Sequence, residues 1–443
     1  MTRHRRPAKG KRPTSPTEPG VTVELTIDSL GQQGDGIALY ESRPVFAPFT
    51  LPGERVRLRL GAKRGEGRVG NLSDILEPAA ERVVAPCRHF GICGGCAIQH
   101  LDLAAYRRWK MDAVRHTMAQ RGIDMPAVVK SVFIPAGTRR RAVLAVRGQG
   151  RGCHIGFHRD FSHDVVDLQQ CLLLTPRLFA LIGKMRVHLC DALAAGESWD
   201  LLATESETGL DLLITAKTEP TNNQRFALAD LSQAGGIARI SWINGGKKGQ
   251  AQPEPIAQLH MPQVRFGDVL VDLPHQSFLQ PSLEGEIALR DAVMAGFETA
   301  DHVADLFSGC GTFSFPFAKR AKITAVEGSK PAVQALAAAA RRAQLSDRVE
   351  AVQRDLDDAP LMPEELKKFD VVVFDPPRAG AKEQAEQLAK SAVPRAIGVS
   401  CNPASFARDA RLLIDGGFRL TDLTVVDQFI WSSHVEVVGR FER

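Results

Sequence analysis

Val303-Ala304-Asp305-Leu306-Phe307-Ser308-Gly309-Cys310-Gly311-Thr312 decides the fold of this chain. An apolar run ends in an acid and opens into a glycine loop. That is how a strand hands over to a cofactor-binding turn in an open α/β sheet. Two later stretches repeat the design. Val371-Val372-Val373-Phe374 leads into Asp375-Pro376-Pro377-Arg378, and Ala396-Ile397-Gly398-Val399 leads into Ser400-Cys401-Asn402-Pro403. The proline two residues after Cys401 stops the strand. Three strands therefore deliver an acid–glycine loop, an acid–proline turn and a cysteine to one rim, the C-terminal edge where such folds keep their active sites.

Outward from this stretch, helix and strand patterns alternate from Gln276 onward, the mark of a doubly wound parallel sheet. Pro331–Arg342 reads as a helix after the strand Ile323–Val326; Gln384–Lys390 and Phe406–Ile414 read as further helices. The dinucleotide fingerprint G-x-G-x-x-G would need a third glycine to cradle a pyrophosphate. Here the acid precedes Gly309 and Gly311 and no third glycine follows. That form suits a cofactor without phosphates and with a cationic amino-acid end, such as S-adenosylmethionine (SAM). Glu327 ends the next strand, 22 residues after Asp305, where an acid binds ribose hydroxyls bidentately. Asp355 stands where a third strand would end, near the adenine.

Composition sets the frame. With 443 residues, 44% hydrophobic and 24% charged, the chain has room for two or three globular domains. No apolar run reaches membrane-spanning length and no apolar segment follows the basic N-terminus. Export and membrane insertion are therefore not expected, and a cytoplasmic, monomeric protein is. The net charge of +5 resides in residues 1–20, where Arg3, Arg5, Arg6, Lys9, Lys11 and Arg12 face one acid, Glu18. This tail reads as disordered, and the rest of the chain is formally neutral. Only local patches can then argue for nucleic acid.

One such patch lies between residues 21 and 80, where short alternating runs such as Val21–Leu25 and Val56–Leu60 are punctuated by glycines. A small antiparallel β-barrel is expected there. Arg55 to Arg68 carries six basic residues (55, 57, 59, 63, 64 and 68) against Glu66, a face able to track a nucleic-acid backbone. Residues 81–276 form a second region. Cys87, Cys93 and Cys96 crowd into ten residues, and Gly94-Gly95 lets the backbone bend so that two sulfurs face one centre. In a reducing compartment such a cluster binds a metal or an iron–sulfur centre. Cys171 is the best fourth ligand, with Cys153 and Cys190 competing. Four thiolates suit either zinc or [4Fe–4S]. Leu101–Gln120 reads as helix, and Ala142–Val146, Leu210–Ile214, Ile237–Ile243 and Val269–Leu273 as strands of an antiparallel domain. Arg139-Arg140-Arg141 and His158-Arg159 are there either for phosphate or for solvent.

Asp375-Pro376-Pro377-Arg378, Ser400-Cys401-Asn402-Pro403-Ala404 and His434-Val435-Glu436, with the cysteine set and the barrel, resemble the uracil-C5 RNA methyltransferases (the TrmA/RlmD family). The resemblance covers everything after the tail. It implies a Rossmann-like class I SAM methyltransferase domain at 277–443, a TRAM domain (an OB-like RNA-binding barrel) at 21–80, and a β-rich central iron–sulfur and RNA-binding domain at 81–276. Phe278-Leu279-Gln280 is similar to the family's Phe-x-Gln entry to the catalytic domain. By position, Gln280, Phe307, Glu327, Asp375 and Asp355 would line the SAM site. Cys401 would be the nucleophile and Glu436 the base. Cys87, Cys93, Cys96 and Cys171 would hold a [4Fe–4S] cluster, as in the branch acting on 23S rRNA. Three positions depart from the common pattern: Thr312 after the glycine loop, Pro281-Ser282 after Gln280, and Phe429-Ile430-Trp431 before the His-x-Glu.

The chemistry agrees with these roles. Carbon 5 of uracil is too weak a nucleophile to attack a sulfonium methyl group. Addition of a thiolate to carbon 6 makes the ring an enolate and activates carbon 5. A base must then remove the carbon-5 proton so that the thiol can leave. The target base must leave its stack to be reached. The sequence-level expectation is thus 5-methyluridine formation in RNA, 23S rRNA first. The rivals are tRNA T-loop methylation, a non-catalytic iron–sulfur RNA-binding factor, and a NAD-dependent oxidoreductase, which the loop disfavours.

Overall fold

The structure is a computed structural model describing residues 20–160, 162–245, 252–296 and 300–443. The basic tail expected at residues 1–20 lies, but for Gly20, outside the described residues. The chain divides into two compact units, one ending at Val83 and one running from Val84 to Arg443.

In the first unit a six-stranded sheet runs in the order Thr22–Thr26, Arg55–Arg64, Gly67–Glu77, Arg43–Ala47, Gly36–Tyr40, Ser29–Leu30. Alternation along Arg55–Arg64 puts Val56, Leu58 and Leu60 into a core with Ile27, Ala38, Val45 and Ala47. The arginines between them face outward, as period two requires. The basic face is smaller than its sequence, however. Arg55 pairs with Glu24 and Glu77, Arg57 with Glu24 and Asp74, and Arg64 with Asp35. Glu24, Asp74 and Glu77 come from neighbouring strands, so their positions depend on register, and Asp35 comes from the turn before Gly36–Tyr40. Arg59, Lys63 and Arg68 keep no acidic partner among the described residues and form the remaining cationic strip.

The second unit holds two large sheets. The central one runs in the order Val165–Asp167, Cys153–His158, Arg141–Gly148, Ser198–Ser206, Gly209–Ala216, Ile237–Asn244, Glu254–Gln258. It is not wholly antiparallel, because Gly209–Ala216 and Ile237–Asn244 run parallel. A parallel pair needs a long crossover, and the helix Asn222–Gln233, opened by a Thr221/Gln224 capping box, supplies it. With the helix Pro176–Leu189 it covers a core in which Trp199 and Trp242 meet edge to face at 5.1 Å.

The catalytic sheet has eight strands: β1 (Val128–Phe133), β2 (His302–Leu306), β3 (Lys322–Glu327), β4 (Val349–Gln353), β5 (Val371–Phe374), β6 (Arg395–Ser400), β7 (Arg419–Asp427) and β8 (Glu436–Glu442). Their order is β4-β3-β2-β5-β6-β8-β7-β1. Helices pack on both faces. Val303, Val371, Val373 and Ile397 meet Leu289 and Leu336 on one side; Ala304, Val372 and Ala396 meet Leu388 and Leu413 on the other. Burial on both faces explains the unbroken apolar runs, since a half-exposed strand would alternate. β1 and the helix Leu103–Ala119 come from the segment before residue 277 yet belong to this layer.

All strands of this sheet run parallel except β8, which is inserted antiparallel between β6 and β7. Parallel strands end at the catalytic rim, whereas β8 begins there. Ser400 stands opposite Val437, and Val426 opposite Glu436. The first residue of the last strand is thus placed beside the last residue of β6, 36 positions earlier in the chain.

Candidate active site

The glycine loop is held in a conformation most side chains resist. Phe307, Gly309 and Gly311 all have positive φ (59°, 55° and 101°), and a Cβ on Gly311 would lie 2.6 Å from the Phe315 ring. Glycine adopts the positive φ without strain at two of the three positions and avoids the clash at Gly311; Phe307 carries the strain, which is typical of functional turns. Glu327 fixes the loop from the next strand. Its Oε2 accepts from the Gly309 amide (3.0 Å) and its Oε1 from Ser329 (2.7 Å). Asp305 is fully buried beneath the loop and accepts from Ser314 Oγ at 2.5 Å, while its other oxygen has no partner.

Cys401 follows β6 directly. Asn402 caps the helix Pro403–Asp415 by accepting from the Ala404 amide (3.1 Å), and Pro403 occupies the first turn. Ser-Cys-Asn-Pro is therefore a strand end, a presented thiol, an N-cap and a helix start. Burial and the Glu436 and Asp375 carboxylates push the Cys401 thiol up to about 11, against a counteracting Arg378. Burial, with Asp375 second, pushes Glu436 up to about 8. Burial and the Asp305 field push Asp375 up to about 7. One rim thus gathers three carboxyl groups and a thiol with little cationic compensation. Such a site favours a cation entering it. Cys310, the other cysteine of this half, is only 2% exposed in the glycine loop.

A hydrogen-bonded relay links the rim to the segment before the first catalytic helix. Gln428 Nε2 donates to Gln280 Oε1 (2.7 Å) and to Glu436 Oε1 (3.2 Å), and Ser282 Oγ donates to Gln428 Oε1 (3.4 Å). Two arginines of the triplet serve this segment. Arg140 donates to the Gln280 carbonyl (3.0 Å) and to Glu286 (2.5 Å), and Arg141 to the Ser277 carbonyl. Arg139 is half-buried, its Cζ 5.9 Å from the centre of the Phe429 ring. His158 and Arg159 remain at the surface.

Behind the wall between Gln428 and Glu436 lies a buried ion pair. Lys110, 1% exposed on the helix Leu103–Ala119, donates to Asp427 Oδ1 (3.0 Å) and to the His434 carbonyl. Tyr106 donates to Asp427 Oδ2 (2.5 Å) and accepts from the Trp431 amide (3.0 Å). The Trp431 carbonyl accepts from Ala97 (2.8 Å) and Ile98 (3.2 Å), which follow Cys96. Lys110→Met should leave the buried Asp427 without its counter-ion, at a cost of about 3–5 kcal/mol. Urea unfolding of Lys110→Met against wild type measures this.

Cys87, Cys93, Cys96 and Cys171 line one pocket with His89, Phe157 and Gln99. Burial pushes the thiols of Cys93, Cys96 and Cys171 up, and the neighbouring cysteines add to it. Cys153 and Cys190 are joined in a disulfide and neither lines this pocket. Among the described residues no three His, Cys, Asp or Glu side chains converge closely enough to hold one metal ion. No helix among them is long and apolar enough to cross a membrane.

The structure thus brings Cys401, Glu436, Asp375, Asp305 and Gln280 to one rim, with Phe307 and Glu327 in the adjoining loop. Asp355 is exposed beyond β4, its backbone beside Gly328, which follows Glu327, and its Oδ1 accepts from the Asp357 amide of its own turn (3.1 Å). Sequence reasoning missed Gln428, Asp427, Lys110 and Tyr106. Lys110 carried a signal, a lysine on a buried stripe of the helix Leu103–Ala119; Gln428 carried none.

A parallel sheet with one antiparallel strand and an acidic rim after its glycine loop defines a class I methyltransferase architecture. Residues 263–441 match the tRNA (Uracil-5-)-methyltransferase family and residues 16–60 the TRAM domain. An RNA methyltransferase of Caulobacter vibrioides, described as uncharacterized, is 40% identical, over 95% of this chain and all of that protein. The 23S rRNA (uracil(1939)-C(5))-methyltransferase RlmD of Halomonas elongata is 34% identical, over 93% of this chain and 88% of its own. The crystal structure of Pyrococcus abyssi tRNA (uracil-54, C5)-methyltransferase matches in fold with a TM-score of 0.75 at 22% identity, covering 94% of this chain and 99% of that one. The chain belongs to the uracil-C5 RNA methyltransferase family and is an RNA methyltransferase.

Proposed function

We propose that this enzyme methylates carbon 5 of one uridine in 23S rRNA, using SAM as methyl donor and Cys401 as covalent nucleophile. The observation that carries the reading is the antiparallel β8, which sets Glu436 beside Cys401. SAM, when bound, supplies an electrophilic methyl group and a positive charge at the acidic rim. Gln280, Phe307, Glu327, Asp375 and Asp355 are the residues to hold it, and Asp355 keeps its Oδ2 for a ligand while its Oδ1 accepts from its own turn. The Cys401 thiolate adds to carbon 6 and raises electron density at carbon 5. After methylation, Glu436 takes the carbon-5 proton, its electrons close the 5,6 double bond, and the carbon–sulfur bond breaks. The relative from Halomonas favours rRNA over the tRNA T-loop. Mapping 5-methyluridine with and without this protein tests the substrate: one 23S position should lose its methyl group. Loss in tRNA instead would overturn the rRNA assignment.

In the same reading the chain works as a TRAM barrel (21–80), a central iron–sulfur and RNA-binding domain (81–276) and a methyltransferase domain (277–443). The cysteine donor set fits [4Fe–4S]. The four sulfurs surround one pocket without closing on a single ion, and a cluster would tie the Cys87–Cys96 loop to Cys171 of the central domain. Anaerobically purified protein should be brown, and Cys171→Ala should lose its iron. Colourless protein with stoichiometric zinc would defeat the assignment. On the barrel, Arg59, Lys63 and Arg68 supply non-specific affinity. Replacing all three with alanine should reduce the slope of log affinity against log salt by about 2, at roughly 0.7 per lost contact. The same change at the internally paired Arg55 and Arg57 should reduce it less. Filter-binding titrations across salt concentrations measure both.

A further inference from the structure

We propose that Gln428 is a positioning residue for proton abstraction: it occupies Glu436 Oε1, leaves Oε2 to take the carbon-5 proton, and is itself oriented by Ser282. The inference rests on Glu436 being the base. Gln428 is 8% exposed and lies one residue beyond β7 on the inserted wall. Ser282 Oγ already accepts from the Gly285 amide (3.0 Å), where it caps the helix Leu283–Met294. Its single O–H is therefore free to donate, and it points to Gln428 Oε1 at 3.4 Å. An amide whose oxygen is so engaged must turn its NH2 the other way. That NH2 meets two acceptors, Gln280 Oε1 at 2.7 Å and Glu436 Oε1 at 3.2 Å.

Three consequences follow for the reaction. First, a donor on Glu436 Oε1 favours the ionised carboxylate, and only the ionised form can act as a base. The titratable groups facing Glu436 are Asp375 at the end of β5 and the Cys401 thiol after β6. Both are acidic, and Arg378 acts on Cys401 rather than on Glu436. Gln428 thus supplies the stabilisation of the Glu436 charge that its neighbours withhold. Second, no hydrogen bond engages Glu436 Oε2 among the described residues, so that oxygen keeps its lone pairs for the proton. Third, the relay joins the base to Gln280, so the segment proposed to hold the cofactor and the group that finishes the reaction share one hydrogen-bonded frame. Two of the three departures from the family pattern, Pro281-Ser282 and the wall after Phe429, flank this relay.

Gln428→Met keeps the volume and removes the donor. In single-turnover reactions with labelled SAM, formation of the covalent enzyme–RNA adduct should stay within about twofold of wild type. Release of methylated RNA at pH 7 should slow by about tenfold or more, as loss of a hydrogen bond to a charged group predicts. The pH midpoint of release should move upward, so that the rate recovers in alkaline buffer. Ser282→Ala should give a weaker version of the same pattern, and carries the test alone if Gln428→Met does not fold. Release with wild-type rate and midpoint would overturn the proposal. So would equal losses of adduct formation, SAM affinity and release at an unchanged midpoint, because that is what damaged packing does. Glu436→Gln is run in parallel. If it releases product freely, the assignment of the base fails; if it traps adduct while Gln428→Met behaves as wild type, only the role of Gln428 fails.

Discussion

Cys401→Ala is expected to lose methyl transfer and covalent trapping together, by at least about 10⁴-fold, the scale on which removing a nucleophile acts. Without a sulfur to add to carbon 6 the ring never becomes an enolate, and carbon 5 never acquires the density to take a methyl group. RNA carrying 5-fluorouridine makes the test sharper. It should trap the wild-type enzyme as a slow band on a denaturing gel, since fluorine cannot leave as a cation, and should trap nothing in Cys401→Ala. SAM binding should survive, because Cys401 lies after β6 and the glycine loop after β2. The environment also sets a pH dependence. A thiol pushed up to about 11 by burial and two carboxylates is protonated at neutral pH. Adduct formation should therefore rise by about tenfold per pH unit between pH 7 and 9 where addition limits the rate. A crosslink in Cys401→Ala would remove this cysteine from the mechanism.

Glu436→Gln should fail in a different way. Addition and methyl transfer need no base at carbon 5, so the variant should still form the adduct and load it with label from SAM. Release should fall by about 10²–10⁴-fold, the usual contribution of a positioned general base. The methylated enzyme–RNA species should accumulate to one equivalent. In the wild type, release should gain as pH rises through about 8, where Glu436 gives up its proton, and should be lost below it. Free methylated product from Glu436→Gln at the wild-type rate would assign the proton to another group. The two variants together separate the steps, since one blocks entry into the covalent cycle and the other blocks exit.

The elements of the catalytic half were legible because parallel strands buried on both faces write themselves as unbroken apolar runs. Val371–Phe374 was read to the residue, and Pro331–Arg342 differs by one position from the observed Lys330–Arg342. Asp305, Asp375 and Cys401 were legible for a related reason: each follows such a run, and the end of a parallel strand is an address. The four cysteines carried their own spacing. The short elements of the central domain were harder. The parallel pair Gly209–Ala216/Ile237–Asn244 was expected to be antiparallel, because strand direction depends on what the crossover helix packs against and not on either strand's residues.

What the sequence by itself determined is the set of strand ends and the chemistry placed on them: a glycine loop preceded by an acid, an acid–proline turn, a thiol and a cysteine cluster. These are local properties, fixed by the apolar period, the turn residues and the caps that adjoin them. What only the tertiary structure decided is which distant groups meet. It chose the antiparallel insertion of β8 that brings Glu436 to Cys401, and the Ser282–Gln428–Glu436 relay. It paired Cys153 with Cys190, which leaves Cys171 to the cysteine pocket. It set the strand register that lets Glu24, Asp74 and Glu77 neutralise Arg55 and Arg57. It also half-buried Arg139-Arg140-Arg141 and paired Arg140 with Glu286. Each of these depends on strand order, register or side-chain packing between segments that are not neighbours in the chain. Such terms are sums over neighbours that no window of the chain contains.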